Sequence, residues 1–441
     1  MKLSTLTREE IIKKYLELEK ENEELKKKKE ALEKELRKYK NPNTPPSAHP
    51  HLKPSFLPRR SGKERGAPRG HLGTNRPWNP FTTPHHITAK ECPNCHSDDI
   101  EVLRTARQQI DEIPKEIKPE SKIVERDICQ CNMCNFKFAA SDGHTPKQGR
   151  FGINLMVLTI MLRFIMRGVM RKTASFLEAS MAVRLAPASV QAIITRAAQA
   201  GTAEYDAIKI RIRESLRLHV DETSFSVLGQ NWWVWIFRSE TDKLIVIRHS
   251  RGNNVLEEIL GKSYNGIVHC DCWRAYDYLT SAALQRCWAH LLRKSAELKM
   301  NVAGKHFHDK LIALFEEIKI FNGKERTTQE RQEKYKNMTA RLQKITGYYT
   351  RYGDCKAVTK YIHFHIQSWF TCIKYENVEP TNNNAEQAIR ETVVVRKIIG
   401  AFRSTHGVTT YETLASLIAT WQSQQKDIRQ ELHRMLTTQL C

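Results

Sequence analysis

The chain has 441 residues, and its 71 Lys and Arg residues against 49 Asp and Glu residues give a formal net charge of +22. This length exceeds one compact core, so we expect roughly two to four domains, and the positive charge favours a polyanionic partner, most simply nucleic acid. The Lys- and Glu-rich start of the chain argues against a signal peptide, and Arg163 and Arg167 argue against a membrane span in its most apolar stretch, residues 151–170. We therefore expect a cytoplasmic protein without a membrane partner.

A seven-residue repeat of apolar side chains runs through residues 7–39. Leu18, Leu25 and Leu32 occupy its d position, and Asn22 occupies one a position. This combination is typical of a two-stranded parallel coiled coil, in which the paired Asn fixes the register. We predict a leucine zipper over residues 1–40 that makes a homodimer or a higher oligomer, and the alternative is a single solvated helix.

Residues 41–90 change character. They contain ten of the sixteen prolines and eight Lys or Arg residues against one acid, Glu64. Such a composition buries little surface, which predicts an extended basic linker. It would either follow a phosphate backbone, with Trp78 and Phe81 stacking on bases, or serve only as a spacer.

Two Cys-x-x-Cys pairs follow the linker, at Cys92 and Cys95 and at Cys131 and Cys134. Each pair directs two thiolates at one ion, and two pairs make the four-sulfur site that structural Zn²⁺ prefers. The 35 residues between the pairs exceed the usual gap and imply a long hairpin arm. We predict one structural zinc ion in a ribbon-like module over residues 91–145; Cys129 and His96 remain alternative ligands.

Residues 146–212 have helical periodicity. Two short helices are predicted at residues 173–182 and 187–200, around a turn near Leu185. The pair resembles a helix-turn-helix, whose second helix would enter a DNA major groove. An ordinary helical connector explains the pattern equally well.

From residue 213 the periodicity becomes that of strands. Three apolar runs, a short helix and a fourth run follow one another, which is the strand order of a ribonuclease-H-like sheet. We predict an α/β ribonuclease-H-like catalytic domain over residues 213–408, with an α-helical insertion at about 295–370. Residues 409–441 are predicted to form a helical tail on the core.

Three acids of this domain follow the elements that would bring them together. Asp221 and Asp271 each end an apolar run, and Glu386 lies in the first turns of a helix that Asn382–Asn384 would cap. Carboxylates in this arrangement suit two Mg²⁺ ions, which activate an attacking oxygen and stabilise a leaving oxygen in phosphoryl transfer. Asp221, Asp271 and Glu386 are therefore the predicted catalytic and Mg²⁺-binding residues.

Neighbouring polar residues are assigned more ordinary roles. Glu222 alternates with Asp221 along the strand and should face the other way. Asp277 is predicted to be structural, and His290, in the sequence Cys-Trp-Ala-His, is predicted to be a hydrogen-bonded core histidine rather than a DNA contact. The basic residues on and after the Glu386 helix would contact DNA phosphates or simply form a solvated face; they are Arg390, Arg396, Lys397 and Arg403.

Taken together, these motifs resemble those of IS66-type insertion-sequence transposases, which have a DDE catalytic domain. The resemblance rests on the zipper, the Pro-rich linker, the paired Cys-x-x-Cys, and four short motifs: His219-Val-Asp-Glu-Thr223, Asp271 with Trp273-Arg-Ala-Tyr276, Cys287-Trp-Ala-His290 and Asn383-Asn-Ala-Glu386. It implies Mg²⁺-dependent cleavage and transfer of DNA, recognition of terminal inverted repeats, and association with the nucleoid. It also implies accessory transposition proteins as further partners.

The chain departs from the family pattern at three positions beside the acids, where it has Cys272-Trp273, Thr381 and Gln387. All three carboxylates are nevertheless present. Two other functions remain open: a dimeric zinc-containing DNA-binding regulator derived from an inactive transposase, and a nuclease of the same fold that cuts without joining.

Overall fold

The computed structural model describes residues 17, 19, 21–25, 27–32, 87–90, 93–105, 117 and 119–441. The chain divides into two units, Met1–Lys118 and Pro119–Cys441. In the first unit, the described residues between 17 and 32 are helical, and Leu25 and Leu32 are exposed. A helix was predicted there, but most of the zipper and the linker lie outside the described residues, so their structure and the oligomer stay predictions.

The second unit begins with a small hairpin. Strands β1 (Ile128–Gln130) and β2 (Lys137–Ala139) pair antiparallel. The turn between them holds Cys131 and Cys134, and the backbone N–H of Cys131 donates to the carbonyl of Phe136 over 2.9 Å. The second Cys-x-x-Cys therefore lies in a tight turn at the end of a hairpin.

Four helices follow the hairpin. They are α1 (Ile153–Phe164), α2 (Met170–Met181), α3 (Pro187–Ala200) and α4 (Thr202–Glu214). Helix α3 buries Val190, Ile193 and Ile194, and the Arg196 side chain on α3 donates to the Gln148 carbonyl. The predicted helix pair is present as α2 and α3, and its role in DNA binding stays a prediction.

The central sheet is mixed. Its strands are β3 (Arg217–Val227), β4 (Gln230–Arg238), β5 (Lys243–Arg248), β6 (Ile267–Cys270), β7 (Ala283–Arg286) and the two-residue β8 (Ala401–Phe402). The order is β5-β4-β3-β6-β7, with β8 also pairing with β3. Strand β4 is antiparallel to both of its neighbours, β3 and β5, whereas β6 and β7 run parallel to β3.

Strand β3 is longer than predicted. The apolar run was expected to end at Asp221, but β3 continues to Val227 and turns into β4 through Leu228 and Gly229, both at positive φ. Asp221 therefore lies within the strand and not at its end. The other predicted strands and the helix α5 (Asn253–Leu260) are present within a few residues of the expected bounds.

Between β7 and the helix that carries Glu386 lies a helical insertion. A 3₁₀ helix, Arg274–Tyr278, precedes β7, and α6 (Trp288–Ala296) follows it. The insertion contains α7 (Val302–Asn322), α8 (Thr328–Tyr349), α9 (Lys356–Phe364) and the short α10 (Thr371–Lys374). These helices share a core of their own, in which Trp288, Phe307 and Trp369 are fully buried.

The chain ends with α11 (Asn383–Ile399), α12 (Thr405–Ser423) and α13 (Ile428–Leu440). Trp421 and Leu432 from the last two helices are buried in the same core as β3 and α1–α4. Helix α11 packs on the other face of the sheet.

Helix α12 also covers the free edge of the sheet. The backbone N–H groups of Lys243, Ile245 and Ile247 on β5 donate to side chains of α12, and their acceptors are Thr420, Ser416 and Glu412. An exposed row of unpaired N–H groups is a site for edge-to-edge association, and these contacts close it. Within the described part of the chain, no helix has the length and apolar character of a membrane span.

Candidate functional site

The strand register brings two of the three predicted acids together. Strands β3 and β6 pair in parallel with His219 opposite His269, an offset of fifty residues. The same offset places Asp221 beside Asp271, which follows the last residue of β6. The strand pairing ends at His219 and His269, so this alignment continues the register by two residues; the Asp271 carboxyl group is near enough to raise the pKa of Asp221.

The electrostatics of Asp221 are those of a crowded acidic site. The pKa of Asp221 is raised to about 8 by burial and by the nearby carboxyl groups of Glu222, Asp271 and Glu386. The backbone N–H of Glu222, which donates to Asp221 Oδ1 over 3.0 Å, only partly opposes this rise. A carboxyl group whose pKa is raised in this way would be stabilised in its charged form by a nearby cation.

Glu386 lies in the first turn of α11 and is near enough to Asp221 to raise its pKa, but among the described residues the three acids do not form a group whose ligand atoms all lie within 4.8 Å of one another. The residue before that helix, Asn382, is buried; its Nδ2 donates to the Val220 carbonyl over 2.8 Å, and its Oδ1 lies 3.0 Å from His219 Nδ1. Asn382 was predicted to cap the helix, but its side chain makes no capping bond to the described backbone. It binds β3 instead, and so fixes the first turn of α11 against the strand that carries Asp221.

Cys287 and His290 lie next to Glu386. The ligand atoms of Cys287, His290 and Glu386 all lie within 4.8 Å of one another, and His290 Nδ1 is 3.5 Å from Glu386 Oε1. His290 was predicted to be a hydrogen-bonded core histidine, yet 31% of its side chain is exposed and its Nδ1 has no hydrogen-bond partner among the described residues. The Cys-x-x-His spacing was the only sequence signal for this group.

Asp271 is held in place by its neighbours. Its Oδ1 accepts the backbone N–H of Trp273 over 2.8 Å, and its carbonyl accepts from the guanidinium of Arg286 over 2.6 Å. Arg286 is fully buried and also donates to Asp277. Asp277 therefore has the structural role predicted for it.

Glu222 belongs to the opposite face of the sheet from Asp221. Its carboxylate accepts from the Tyr276 hydroxyl over 2.6 Å and pairs with Arg251 over 2.8 Å. Arg251 itself lies between the rings of Trp233 and Trp273. Both Glu222 oxygens thus have partners in the protein, in accordance with the orientation predicted from strand alternation.

The four basic residues predicted to contact DNA differ in their surroundings. Arg390, Lys397 and Arg403 are exposed. Arg396 is half-buried, and its guanidinium donates to the Ser224 carbonyl and to Thr223 Oγ1, 3.2 Å away. Arg396 therefore ties α11 to β3, while the other three are free to meet solvent or a ligand.

The predicted zinc ligands fall in different parts of the chain. Cys92 lies outside the described residues, and Cys95 belongs to the first unit. The pKa of the Cys131 thiol is lowered by hydrogen bonds from the backbone N–H groups of Cys134 and Met133, and by the Cys134 side chain. This knuckle geometry favours a thiolate ligand, and the zinc ion itself stays a prediction.

Comparison with known proteins bears on the second unit. The sequence model of the family described as Transposase IS66 family matches residues 148–410. This chain belongs to the IS66 transposase family. The match confirms the resemblance, and it includes Asp221, Asp271 and Glu386.

A more distant relative is the uncharacterized protein y4qI of Sinorhizobium fredii (strain NBRC 101917 / NGR234). It is 24% identical over 267 residues, which are 53% of this chain and 49% of that protein. The chain thus spans about half the length of this relative.

Proposed function

We propose that this IS66-family transposase cleaves DNA at element ends and joins the 3′ end to target DNA, with two Mg²⁺ ions held by Asp221, Asp271 and Glu386. The β3–β6 register, which would align Asp221 with Asp271 if continued by two residues, carries the proposal. The raised pKa of Asp221 supports it, because a bound cation would offset both the burial and the neighbouring carboxyl groups that raise this pKa. Oxygen ligands are those that Mg²⁺ prefers.

When bound, such ions lower the pKa of the attacking water or 3′-hydroxyl and stabilise the leaving oxygen. The protein's own contribution is positioning. Asp221 lies in β3 and Asp271 directly follows β6, the strand that pairs with β3, so the sheet would hold the two acids near one another. Asn382 fixes the helix that carries Glu386. We further propose that the sheet is of the ribonuclease-H-like type, because its three antiparallel strands followed by two parallel strands have that order.

Basic and aromatic side chains around the acids would bind the DNA. Arg293 lies 4.0 Å from Glu386 and is largely exposed. Lys294 lies over the ring of Tyr361, and Arg274 lies near the exposed ring of Phe364. We propose that these cations contact phosphates near the scissile bond, together with the exposed residues Arg390, Lys397 and Arg403, whereas Arg396 acts through its bond to β3.

The segments before the second unit would supply recognition and assembly. We propose that the zipper makes the dimer and that the Cys92–Cys95 and Cys131–Cys134 pairs bind one structural zinc ion. We also propose that the protein binds terminal inverted repeats in the cytoplasm, at the nucleoid. Accessory transposition proteins remain expected partners. The alternatives are an inactive DNA-binding regulator and a nuclease that does not join.

The test is strand transfer in Mg²⁺ on DNA that carries the flanking inverted repeats, with the cut strands mapped. Asp221→Asn, Asp271→Asn and Glu386→Gln should each reduce transfer by more than about a hundredfold, because even residues that only support a metal ligand cost about 10- to 100-fold when replaced. The control Asp309→Asn changes an exposed acid of the insertion and should leave transfer unchanged.

The alternatives give different results in the same assay. Wild-type activity in all three variants would refute the catalytic assignment. Binding of the repeats without metal-dependent cleavage would identify a regulator, and cleavage without joining would identify a nuclease.

A further inference from the structure

A group of mixed metal ligands lies beside the proposed Mg²⁺ site. It consists of a thiol (Cys287), an imidazole (His290) and a carboxylate (Glu386), whose ligand atoms lie within 4.8 Å of one another. Cys287 and His290 are in or just before the first turn of α6, and Glu386 is in the first turn of α11. Two helix starts therefore meet at three side chains that bind metal ions well.

The facing atoms of two of these residues have no other partner. His290 Nδ1 and Glu386 Oε1 are both inaccessible to solvent, and within the described chain neither has a hydrogen-bond partner. They lie 3.5 Å apart, too far for a good hydrogen bond. A buried polar atom without a partner requires an explanation, and an ion between the two atoms provides one.

The surroundings of Cys287 suit a metal-bound sulfur. Its side chain is buried, and its Sγ accepts the backbone N–H of Asn382 over 3.2 Å. The backbone N–H groups of Ala289 and His290 also point to this sulfur. These donors offer hydrogen bonds to a metal-bound sulfur, although burial still raises the pKa of the Cys287 thiol, so its deprotonation would accompany metal binding.

The donor types indicate which ion fits. Thiolate and imidazole suit Zn²⁺ and similar transition-metal ions, whereas Mg²⁺ takes oxygen ligands. Bonds of about 2.0–2.3 Å in a tetrahedral site place ligand atoms roughly 3.3–3.8 Å apart. The observed spread of up to 4.8 Å therefore needs a side-chain adjustment of about 1 Å.

We propose that Cys287, His290 and Glu386 form a binding site for a transition-metal dication such as Zn²⁺, separate from the two Mg²⁺ ions. The ion joins the start of α6 to the start of α11, and it fixes Glu386 through Oε1 while leaving the second carboxylate oxygen for Mg²⁺. This inference rests on the proposed function only in that Glu386 serves both sites.

The experiment uses Co²⁺ as the probe, added to the metal-free full-length protein. A Co²⁺–thiolate bond gives a near-ultraviolet charge-transfer absorption. The Cys131 and Cys134 region also binds Co²⁺ if the zinc prediction holds, so the measured quantity is the spectrum of the wild type minus that of Cys287→Ser. We expect a residual one-thiolate band in this difference.

The control is Cys355→Ser, which replaces an equally buried thiol in the core of the insertion. Its spectrum should match that of the wild type. His290→Gln should keep the Cys287-dependent band but weaken Co²⁺ binding by at least about tenfold. It also tests the site if Cys287→Ser fails to fold.

A flat difference spectrum at saturating Co²⁺, or unchanged affinity in a folded His290→Gln variant, would overturn the inference. Asp221→Asn separates it from the proposed function: this variant should lose strand transfer and keep the Cys287-dependent band. Loss of transfer without any such band would refute the transition-metal site alone. A band with full transfer in Asp221→Asn would refute the catalytic assignment alone.

Discussion

Replacing Asn382 by Ala should weaken both the fold and the site. The change removes two bonds, from Nδ2 to the Val220 carbonyl (2.8 Å) and between Oδ1 and His219 Nδ1 (3.0 Å). Asn382 is 1% exposed, so water does not replace them. A buried polar group that loses its partner costs about 1–3 kcal/mol, so we expect a loss of about 2–5 kcal/mol in the free energy of unfolding.

The assay is urea denaturation followed by tryptophan fluorescence, with Asn383→Ala as the matched control because Asn383 is the exposed next residue. The control should change stability by less than about 0.5 kcal/mol. Strand transfer by Asn382→Ala should fall even where the protein is fully folded, since Glu386 is positioned by the same turn. Equal stability of the two variants would refute the anchoring role of Asn382.

Two further predictions concern stability. Ser416→Ala leaves the Ile245 N–H on the edge strand β5 without its acceptor, and it should lower the free energy of unfolding, measured by urea denaturation, by about 1–3 kcal/mol. The control is Ser423→Ala, which should lower it less because the Ser423 hydroxyl bonds only within its own helix. Equal losses would contradict the role of α12 in closing the edge. The pKa of His365 is lowered to about 4, mainly by burial and then by the charge of Arg286. As the pH falls, His365 is therefore protonated in the unfolded state before it is protonated in the folded state. The free energy of unfolding should decline as the pH falls from about 6.5 towards 4. His365→Gln should reduce this decline in denaturation measured across that pH range, and parallel pH profiles of variant and wild type would refute the assignment.

The sheet was predictable because its apolar runs are local signals. Glycine suits a hairpin turn, and Gly229 does lie at positive φ in the turn between β3 and β4. The length of β3 was not predictable in the same way, because Thr223, Ser224 and Ser226 are polar and extend the strand only through pairing with β4 and β8. Periodicity measures burial, and these residues are only half-buried.

The candidate site was predicted in part for a similar reason. Asp221 and Asp271 each follow an apolar run, so a sequence pattern marks them, and the β3–β6 register would align them if continued by two residues. The partnership of His290 with Glu386 has no local signal, because the two residues are almost a hundred positions apart and meet only when α6 and α11 pack. Asn382 was assigned to a helix cap for the same reason: its actual partners, His219 and Val220, are distant in sequence.

The helical insertion separates Asp271 from Glu386 in the sequence. Contacts between its two ends explain how Glu386 can still be held at the site. The backbone N–H of Trp288 donates to the Pro380 carbonyl over 3.0 Å, and that of Asn382 donates to Cys287 Sγ over 3.2 Å. The entry and exit of the insertion are thus bound to each other at the site. Because the Trp288 ring is buried in the insertion's own core, changes among the helices beyond it need not move Glu386. The position of that carboxylate depends instead on the few contacts where the chain leaves the sheet and returns to it.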